Sequence, residues 1–295
     1  MSAERTPGAR PDGAGQELEQ GSGLEPLRAV IARHGLDARK ALGQHFLLDP
    51  GIVARIAGLA GDLAGRHVVE VGPGPGGLTR ALLDSAAETV TAVEIDPRAV
   101  AVIAELAARY PDRLRLVEAD ATRRDLSELC PAPRQVVANL PYNVGTPLLV
   151  GWLRQAAVWE RLTLMFQMEV AERICAAPDT PHYGRLAVLA QWTCRCALVM
   201  RIPPGAFSPP PKVYSAVVSL IPHAVQPAPA LFRAMEQVTA AAFGQRRKML
   251  RGSLRPIGGE ALLAAAGIDG ARRAETLEIA EFDRLARCHV ARGDA

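Results

Sequence analysis

Residues 68–77 read Val-Val-Glu-Val-Gly-Pro-Gly-Pro-Gly-Gly, and this stretch decides the fold. A short apolar run followed by closely spaced glycines predicts a buried strand, a tight turn and the start of a helix. Gly72, Gly74 and Gly77 match the G-x-G-x-x-G spacing of nucleotide-binding turns. This spacing alone is weak evidence for a ligand, because a glycine turn needed only for packing has the same pattern.

Beyond this turn, short apolar runs alternate with helical segments. Strands are predicted at residues 67–71, 89–95, 113–118, 135–139, 162–167, 197–202 and 215–221. Helices are predicted near residues 77–86, 97–109, 124–130 and 145–157. Such alternation predicts right-handed crossovers and a parallel sheet that is covered on both faces. The fold class is therefore α/β, with a doubly wound, Rossmann-like sheet of seven strands, whose last two strands suit an antiparallel return.

The chain has 295 residues, enough for about two domains of roughly 150 residues each. Residues 1–26 mix glycine, proline and both charge signs without an apolar block, and we predict a disordered tail there. The domain that contains the sheet is predicted to span residues 27–225. From residue 226 to 295 the composition shifts to alanine, arginine and leucine with helical periodicity, which predicts a small, all-helical domain at the C-terminal end.

Composition restricts the location of the protein more than its partners. The formal net charge of +3 neither requires nor excludes a nucleic acid. No apolar run approaches the ~20 residues of a membrane helix, so we predict no membrane contact. Five scattered cysteines without a signal peptide predict reduced thiols in a cytoplasmic protein. Cys194 and Cys196 lack a second pair that would complete a tetrahedral site, so no metal is predicted.

The two prolines of the glycine turn indicate which nucleotide it accepts. Pro73 and Pro75 each remove a backbone N–H group from the turn. A pyrophosphate needs such donors together with the helix N-terminus, whereas a nucleoside that only approaches the backbone does not. The turn therefore favours a nucleoside ligand without a pyrophosphate.

Carboxylates at successive strand ends supply the rest of that pocket. Glu94 lies 22 residues after Gly72, at the position that binds ribose hydroxyls in doubly wound sheets. Asp120 ends the third strand, where a carboxylate can accept from the amino group of adenine. Together they predict S-adenosylmethionine rather than a pyridine dinucleotide. The alternative is that each carboxylate only caps the helix that follows it.

Asn139, Leu140, Pro141 and Tyr142 directly follow the fourth predicted strand and form the candidate catalytic segment. The carboxyl edge of an open α/β sheet is where ligands bind. The Asn139 side-chain oxygen and the Leu140 carbonyl can accept both N–H bonds of an exocyclic adenine amine, which favours a tetrahedral nitrogen with a free lone pair. Pro141 fixes the backbone, and Tyr142 offers a ring on which an extruded base stacks.

A basic cluster without a nearby acid follows in the helical region, at Arg246, Arg247, Lys248, Arg251 and Arg255. A solvated helix face is the simpler interpretation of such a cluster. Beside a base-modifying site, however, it favours contact with RNA phosphates.

These motifs together resemble the small-subunit ribosomal RNA adenine dimethyltransferase family, over about residues 38–255. The matching segments are residues 42–47, 70–77, 94–96, 120–121, 139–142, 207–213 and 243–248. The resemblance implies a class I methyltransferase domain and S-adenosylmethionine-dependent dimethylation of N6 of two adjacent adenosines. It places these adenosines in the 3′-terminal hairpin loop of 16S rRNA, within the small subunit or its late precursor. It also implies a monomer with a role in ribosome biogenesis.

The family pattern assigns roles to individual residues of this chain. Cofactor binding is implied for His45, Leu47, Gly72, Glu94, Asp120 and Asn139. The implied catalytic set is Asn139, Leu140, Pro141, Tyr142 and Phe207, with Phe207 facing the target adenine opposite Tyr142. RNA contact is implied for Lys212, Arg246, Arg247, Lys248 and Arg251. The family often has asparagine where this chain has His45.

The surroundings of Phe207 agree with a role outside the core. Prolines lie on both sides of it, at residues 203–204 and 209–211. Such a stiff loop is poorly suited to burying an aromatic ring in a regular core.

Three other functions remain open at this point. The related dimethyltransferase of 23S rRNA, of the macrolide-resistance type, shares many motifs, although residues 207–213 and 245–248 favour the small-subunit enzyme. An assembly factor in which binding matters more than catalysis has the same sequence features. A dehydrogenase suits the glycine spacing but leaves residues 139–142 unexplained.

Overall fold

A computed structural model of the protein describes residues 23–36, 45–245 and 247–293. The strands in these ranges are β1 Phe46–Leu47, β2 His67–Val71, β3 Thr89–Glu94, β4 Leu114–Glu118, β5 Arg134–Asn139, β6 Arg161–Gln167, β7 Cys194–Ile202, β8 Phe207–Ser208 and β9 Ser215–Pro222. The α-helices are α1 Leu27–Arg33, α2 Pro50–Leu59, α3 Gly77–Leu83, α4 Pro97–Arg109, α5 Gly145–Arg154, α6 Met168–Ile174, α7 Arg185–Thr193, α8 Pro229–Phe243, α9 Leu250–Ser253, α10 Gly259–Ala266 and α11 Ile279–Ala291. Most of the predicted tail, residues 1–22, lies outside the described residues.

The main sheet has seven strands in the order β4-β3-β2-β5-β6-β9-β7. Strands β2 to β6 are parallel to their neighbours, whereas β9 runs antiparallel to both β6 and β7. The strand order reverses between β2 and β5, which is the switch point where ligands bind in doubly wound sheets. The predicted fold class and the antiparallel return are thus confirmed.

Both faces of this sheet are covered, as the continuous apolar strands predict. Val68 and Val69 are adjacent in β2 and fully buried, yet they belong to two different hydrophobic clusters. Val136 and Val137 of β5 divide in the same way. Since successive side chains of a strand point to opposite faces, each cluster fills one side of the sheet.

The segment after β4 differs from its prediction. Instead of a helix near residues 124–130, the chain forms two short 3₁₀ turns, Ala121–Arg123 and Leu126–Glu128. Asp120 and Asp125 precede these turns, and each side chain accepts a hydrogen bond from the backbone N–H two residues later. Such local bonds compete with a continuous α-helix.

Two further elements were missed. Helices α6 and α7 were not predicted, and β7 begins at Cys194 rather than at residue 197. Helix α7 passes directly into β7 without an intervening loop, so no glycine or proline marks the boundary.

A separate two-stranded sheet joins the N-terminal part of the chain to the proline-rich stretch. In it β1 pairs antiparallel with β8, with Phe46 opposite Ser208 and Leu47 opposite Phe207. This pair brings residues 45–47 to the carboxyl edge of the main sheet, above the glycine turn.

The C-terminal region is helical in its described part, as predicted. Its apolar side chains, such as Phe232 and Phe282, lie in the same cluster as Val136 and Leu164 of the sheet. The predicted domain boundary at residues 225 and 226 falls in the connection between β9 and α8. In the described ranges, no helix has the length and apolar character needed to cross a membrane.

Candidate active site

A cavity of about 360 Å³ opens at the carboxyl edge of the sheet. Its walls are residues 45–47, the glycine turn with the start of α3, residues 94–97 and residues 139–144, with Glu70 beneath. Eight of the predicted site residues line it: His45, Leu47, Gly72, Glu94, Asn139, Leu140, Pro141 and Tyr142. Asp120 and Phe207 are not among the lining residues.

The glycine turn uses its own backbone donors and offers few to a phosphate. The N–H of Gly72 donates to the Val93 carbonyl at 3.0 Å, and that of Gly76 donates to the Pro73 carbonyl at 3.0 Å. The N–H of Gly74 points to Glu94 Oε2 at 3.3 Å. These bonds support the prediction that the turn is no pyrophosphate cradle, and they count against the dehydrogenase alternative.

The glycines also allow close approach of the covering and catalytic segments. Gly72 and Gly74 have φ of 69° and 55°, a backbone region that favours glycine. A Cβ atom on Gly74 would lie 3.1 Å from the Phe46 ring, and one on Gly72 would lie 3.4 Å from Pro141 Cδ. The turn is therefore in contact with residues 45–47 on one side and with residues 139–142 on the other.

Glu94 is held at the cavity wall by the loop that it begins. Its Oε1 atom accepts hydrogen bonds from the backbone N–H groups of Ile95 at 2.8 Å and Asp96 at 2.9 Å. Helix α4 is capped by Asp96, not by Glu94, so the capping alternative for Glu94 is wrong. Burial raises the pKa of Glu94 above its usual range. Its Oε2 atom accepts the long bond from Gly74 and has spare acceptor capacity.

Glu70 is a second carboxyl at this site, and no role was predicted for it from the sequence. It lies in β2 directly before the glycine turn and is only 1% exposed. Its Oε2 atom is buried without a hydrogen-bond partner among the described residues. Burial raises the pKa of Glu70 to about 8, and the nearby Glu94 carboxylate acts in the same direction. The sequence could have indicated this residue, because a glutamate within an apolar strand is unusual unless it has a role.

Asp120 serves a local role in the structure. Its side chain accepts from both the backbone N–H and the hydroxyl of Thr122, and the hydroxyl bond lowers the pKa of Asp120. The capping alternative is therefore what the structure shows. The backbone N–H of Ala119 donates to the Glu94 carbonyl at 2.9 Å. This bond joins the residue before Asp120 to the end of β3. Its contact with adenine stays a prediction.

The catalytic segment begins where β5 ends. Asn139 pairs with Met165 of β6 and is partly exposed, whereas Leu140 is buried and also lines the cavity. The Pro141 carbonyl accepts from the N–H groups of Val144 and Gly145, which starts α5. This helix start holds the segment rigidly beside the glycine turn.

Tyr142 has two neighbours that fix its ring. Its hydroxyl lies 2.8 Å from the hydroxyl of Ser215. On the cavity side, the ring centroids of Tyr142 and His45 are 5.5 Å apart. His45 Nδ1 donates to the Pro209 carbonyl at 2.8 Å, because a carbonyl only accepts. Ser215 was missed because it is 73 residues away in sequence and carries no motif of its own.

Phe207 is more buried than its loop suggested. It is 5% exposed and packs with Leu47 and Ile202 in one hydrophobic cluster. The expectation that the stiff loop is poorly suited to burying an aromatic ring is therefore wrong, because pairing with β1 provides the apolar surroundings. A position opposite Tyr142 across a bound adenine stays a prediction.

The predicted RNA-binding residues lie at the surface wherever they are described. Lys212, Arg247, Lys248 and Arg251 are exposed, and none of the four forms an ion pair with another described residue. Arg246 lies outside the described residues. The exposed cations remain available for phosphates, and their contact with RNA stays a prediction.

The cavity fits S-adenosylmethionine by its donors, acceptors and charges. Two buried carboxyls, Glu70 and Glu94, lie at the cavity, and the cationic sulfonium and amino groups of the cofactor would favour the ionised form of a carboxyl beside them. The unpartnered Glu70 Oε2 atom is an acceptor without a donor among the described residues. The apolar Ile95 side chain, 62% exposed, lines the cavity directly after Glu94.

Comparisons with known proteins agree with this geometry. A sequence profile described as "Ribosomal RNA adenine dimethylase" matches residues 35–289. A protein named "Ribosomal RNA small subunit methyltransferase A" from Gluconobacter oxydans is 69% identical over 268 residues, covering 91% of this chain and 88% of that protein. The protein of the same name from Sinorhizobium medicae is 58% identical over 269 residues, covering 90% of this chain and 98% of that protein.

Two solved structures have similar folds. A dimethyladenosine transferase from Plasmodium falciparum has a TM-score of 0.68 at 24% identity and covers 82% of this chain and 96% of its own. The 23S rRNA methyltransferase ErmE has a TM-score of 0.60 at 30% identity and covers 82% of this chain and 98% of its own. The match of profile, relatives and fold confirms the predicted resemblance, and the chain belongs to the ribosomal RNA adenine dimethylase family.

Proposed function

We propose that this chain dimethylates N6 of two adjacent adenosines in the 3′-terminal hairpin loop of 16S rRNA. Membership of the family makes the chain an S-adenosylmethionine-dependent ribosomal RNA adenine dimethyltransferase, as predicted. The observation that carries the proposal is that the Asn139–Leu140 pair and the glycine turn line one cavity, with Pro141 in contact with Gly72.

In the proposed reaction, the chain activates the amine by holding it. The exocyclic nitrogen of adenine is a poor nucleophile because its lone pair is conjugated with the ring. The Asn139 side-chain oxygen and the Leu140 carbonyl accept its two N–H bonds and favour a tetrahedral nitrogen. The lone pair then points toward the cofactor side of the cavity. The proton leaves after methyl transfer, so no base of special pKa is needed.

The residues on the other wall hold the cofactor. When bound, the cofactor supplies an electrophilic methyl group. Glu94 would accept hydrogen bonds from the ribose hydroxyls, and Glu70 would stabilise a cationic group of the ligand. His45 and Leu47 cover the pocket and exclude water, supported by the pairing of Leu47 with Phe207. Tyr142 holds the extruded base by stacking, as enzymes that act on bases require.

The choice of the small subunit rests on the relatives. Proteins that are 69% and 58% identical carry a small-subunit name, whereas the 23S rRNA methyltransferase ErmE is 30% identical. We infer that the substrate is 16S rRNA within the small subunit or its late precursor. A role in ribosome assembly is compatible with the same exposed cations, since a tight contact with the precursor serves both tasks.

We also infer a monomer that works in the cytoplasm. Eight predicted site residues meet in one cavity of a single chain, which supports a monomeric active site. All five cysteines are free thiols, which suits a reducing compartment.

The test is incubation with labelled cofactor and small subunits from cells that lack this methylation, followed by mapping of the modified nucleotides. We expect dimethylation of two adjacent adenosines in the 3′-terminal hairpin loop. Large subunits lacking their own adenine methylation form the second arm, and label found only there would support the 23S alternative. Binding to small subunits without any transfer would support the assembly-factor alternative.

A further inference from the structure

Ser215 is a buried hydroxyl that belongs to none of the segments with assigned roles. It is the first residue of β9 and is fully buried. Its hydroxyl lies 2.8 Å from that of Tyr142. Among the described residues, this phenol is its only hydrogen-bond partner. Burying a hydroxyl without a hydrogen-bond partner costs free energy of folding. The bond therefore restricts the side-chain positions of both residues.

The bond differs from those of two other buried hydroxyls, which stay within one helix. Thr239 donates to the carbonyl four residues earlier in its own helix, and Thr193 does the same. Ser215 instead joins two segments that are distant in sequence and ends on a side chain that lines the active-site cavity. Burial raises the pKa of Tyr142, so its phenol stays protonated and keeps the bond at physiological pH.

The position of Ser215 in the sheet adds a second constraint. Ser215 pairs with Gln167 of β6 and with Ile202 of β7. The loop that carries Phe207 leaves the sheet after Ile202 and returns at Ser215. Ser215 therefore lies where the Phe207 loop returns to the sheet, and it is hydrogen-bonded to the hydroxyl of Tyr142. The relative position of the two rings depends on this junction.

We propose that Ser215 is a positioning residue for methyl transfer, which fixes the Tyr142 ring at the angle and depth that a stacked target adenine needs. This inference rests on the proposed function. Ser215 acts through Tyr142 and does not touch the substrate itself. Its loss lets the ring rotate, so the adenine amine is held less often between Asn139 and Leu140. The effect falls mainly on turnover, because the described hydroxyl bond of Ser215 is to Tyr142 and not to the glycine turn or Glu94.

The test is a double-mutant cycle of Ser215→Ala and Tyr142→Phe, measured as single-turnover methylation of small subunits at saturating cofactor. We expect each single variant to lose about three- to tenfold in rate, the range for one net hydrogen bond. The double variant loses no more than either single variant, because both remove the same bond. Ser215→Thr, which keeps the hydroxyl, recovers most of the rate.

Ser219→Ala is the matched control, since Ser219 is buried on the same face of β9, further along the strand, and forms no bond to Tyr142. Thermal melting and cofactor calorimetry accompany each variant. Full activity of Ser215→Ala, multiplied losses in the double variant, or an equal loss in Ser219→Ala would each overturn the inference. If the wild-type chain itself methylates no small subunit, the proposed function fails, and with it the premise that Ser215 positions a base-stacking ring.

Discussion

Leu47 lies directly opposite Phe207 in the antiparallel pair of β1 and β8. One partner covers the cofactor side of the cavity, and the other belongs to the loop that we predict to face the target base. The two walls are thus parts of one small sheet. Because Phe207 is also buried with Leu47, a substitution of Phe207 can lower stability as well as base stacking. The variants must therefore distinguish the two effects.

For Phe207, we expect Phe207→Ala to lower the free energy of unfolding by about 3–5 kcal/mol, the usual cost of truncating a buried aromatic ring. Phe207→Leu keeps an apolar side chain of similar size and costs about 1.5 kcal/mol or less. If the ring stacks on adenine, Phe207→Leu still loses about one to two decades in methylation efficiency, since base–aromatic stacking contributes roughly 1–3 kcal/mol. Phe207→Tyr keeps most of the activity.

Thermal melting beside single-turnover rates distinguishes the two roles of Phe207. A folded Phe207→Leu variant with normal rates would show that the ring only packs the junction of β1 and β8. In that case Tyr142 alone holds the base.

For Glu94, we expect Glu94→Ala to weaken S-adenosylmethionine binding by about ten- to a hundredfold, because hydrogen bonds to a charged group contribute roughly 1.5–3 kcal/mol. RNA affinity stays nearly unchanged, since the side chain lies on the cofactor wall. Calorimetry with each ligand measures both. Asp125→Ala, which removes a carboxylate that caps a 3₁₀ turn outside the cavity, is the control. Unchanged cofactor affinity in Glu94→Ala would remove this residue from the site.

Glu70 makes the stability of the ligand-free protein depend on pH. Burial raises the pKa of its carboxyl from 4.5 to about 8, so the folded chain binds this proton more tightly than the unfolded chain does. The contribution is fully present below about pH 4.5 and is lost as the pH rises through about 8. The free energy of unfolding therefore falls in this window, by at most about 1.4 kcal/mol per pH unit from this group.

Glu70→Gln should remove this component and flatten the fall of stability between about pH 5 and 8. Denaturant melts at several pH values give the measurement. Glu118→Gln, at the exposed end of β4, is the control and should follow the wild type. Parallel curves for Glu70→Gln and the wild type would show that Glu70 is not held protonated.

For the basic cluster, replacing Arg247, Lys248 and Arg251 by alanine should lower RNA affinity and flatten its salt dependence. For each phosphate that the variant no longer neutralises, the slope of log affinity against log salt falls by up to about 0.9 on a duplex, or about 0.7 on a single strand. Arg287→Ala is the control, because Arg287 is exposed but ion-paired with Asp283 at 2.6 Å. An unchanged slope in binding isotherms would refute phosphate contact.

Much of the fold could be predicted from the sequence because periodicity and turn chemistry are local. The strand that ends at Val71 and the helix Pro97–Arg109 have the predicted bounds. The helix predicted near residues 124–130 was wrong because Asp120 and Asp125 each close a short turn on their own backbone. The pair of β1 and β8 was missed because strands of two residues have no periodicity.

Site residues at the ends of predicted strands could be identified from the sequence. Site residues that depend on contacts between distant segments could not. Asn139 and Glu94 line the cavity because parallel strands bring their carboxyl ends to one edge. Ser215 and the burial of Phe207 depend on contacts between β9, β1 and the catalytic segment. Such contacts involve residues far apart in sequence, and no local pattern encodes them.

The central claim is that Asn139 holds the target amine for methyl transfer, and single-turnover methylation by Asn139→Ala tests it most directly. The assay uses under-methylated small subunits with saturating cofactor and RNA, and calorimetry measures cofactor affinity in parallel. We predict that transfer is abolished while cofactor affinity changes only modestly, because the contact exists only with the substrate bound. Near-normal turnover by Asn139→Ala would contradict this claim and remove Asn139 from the mechanism.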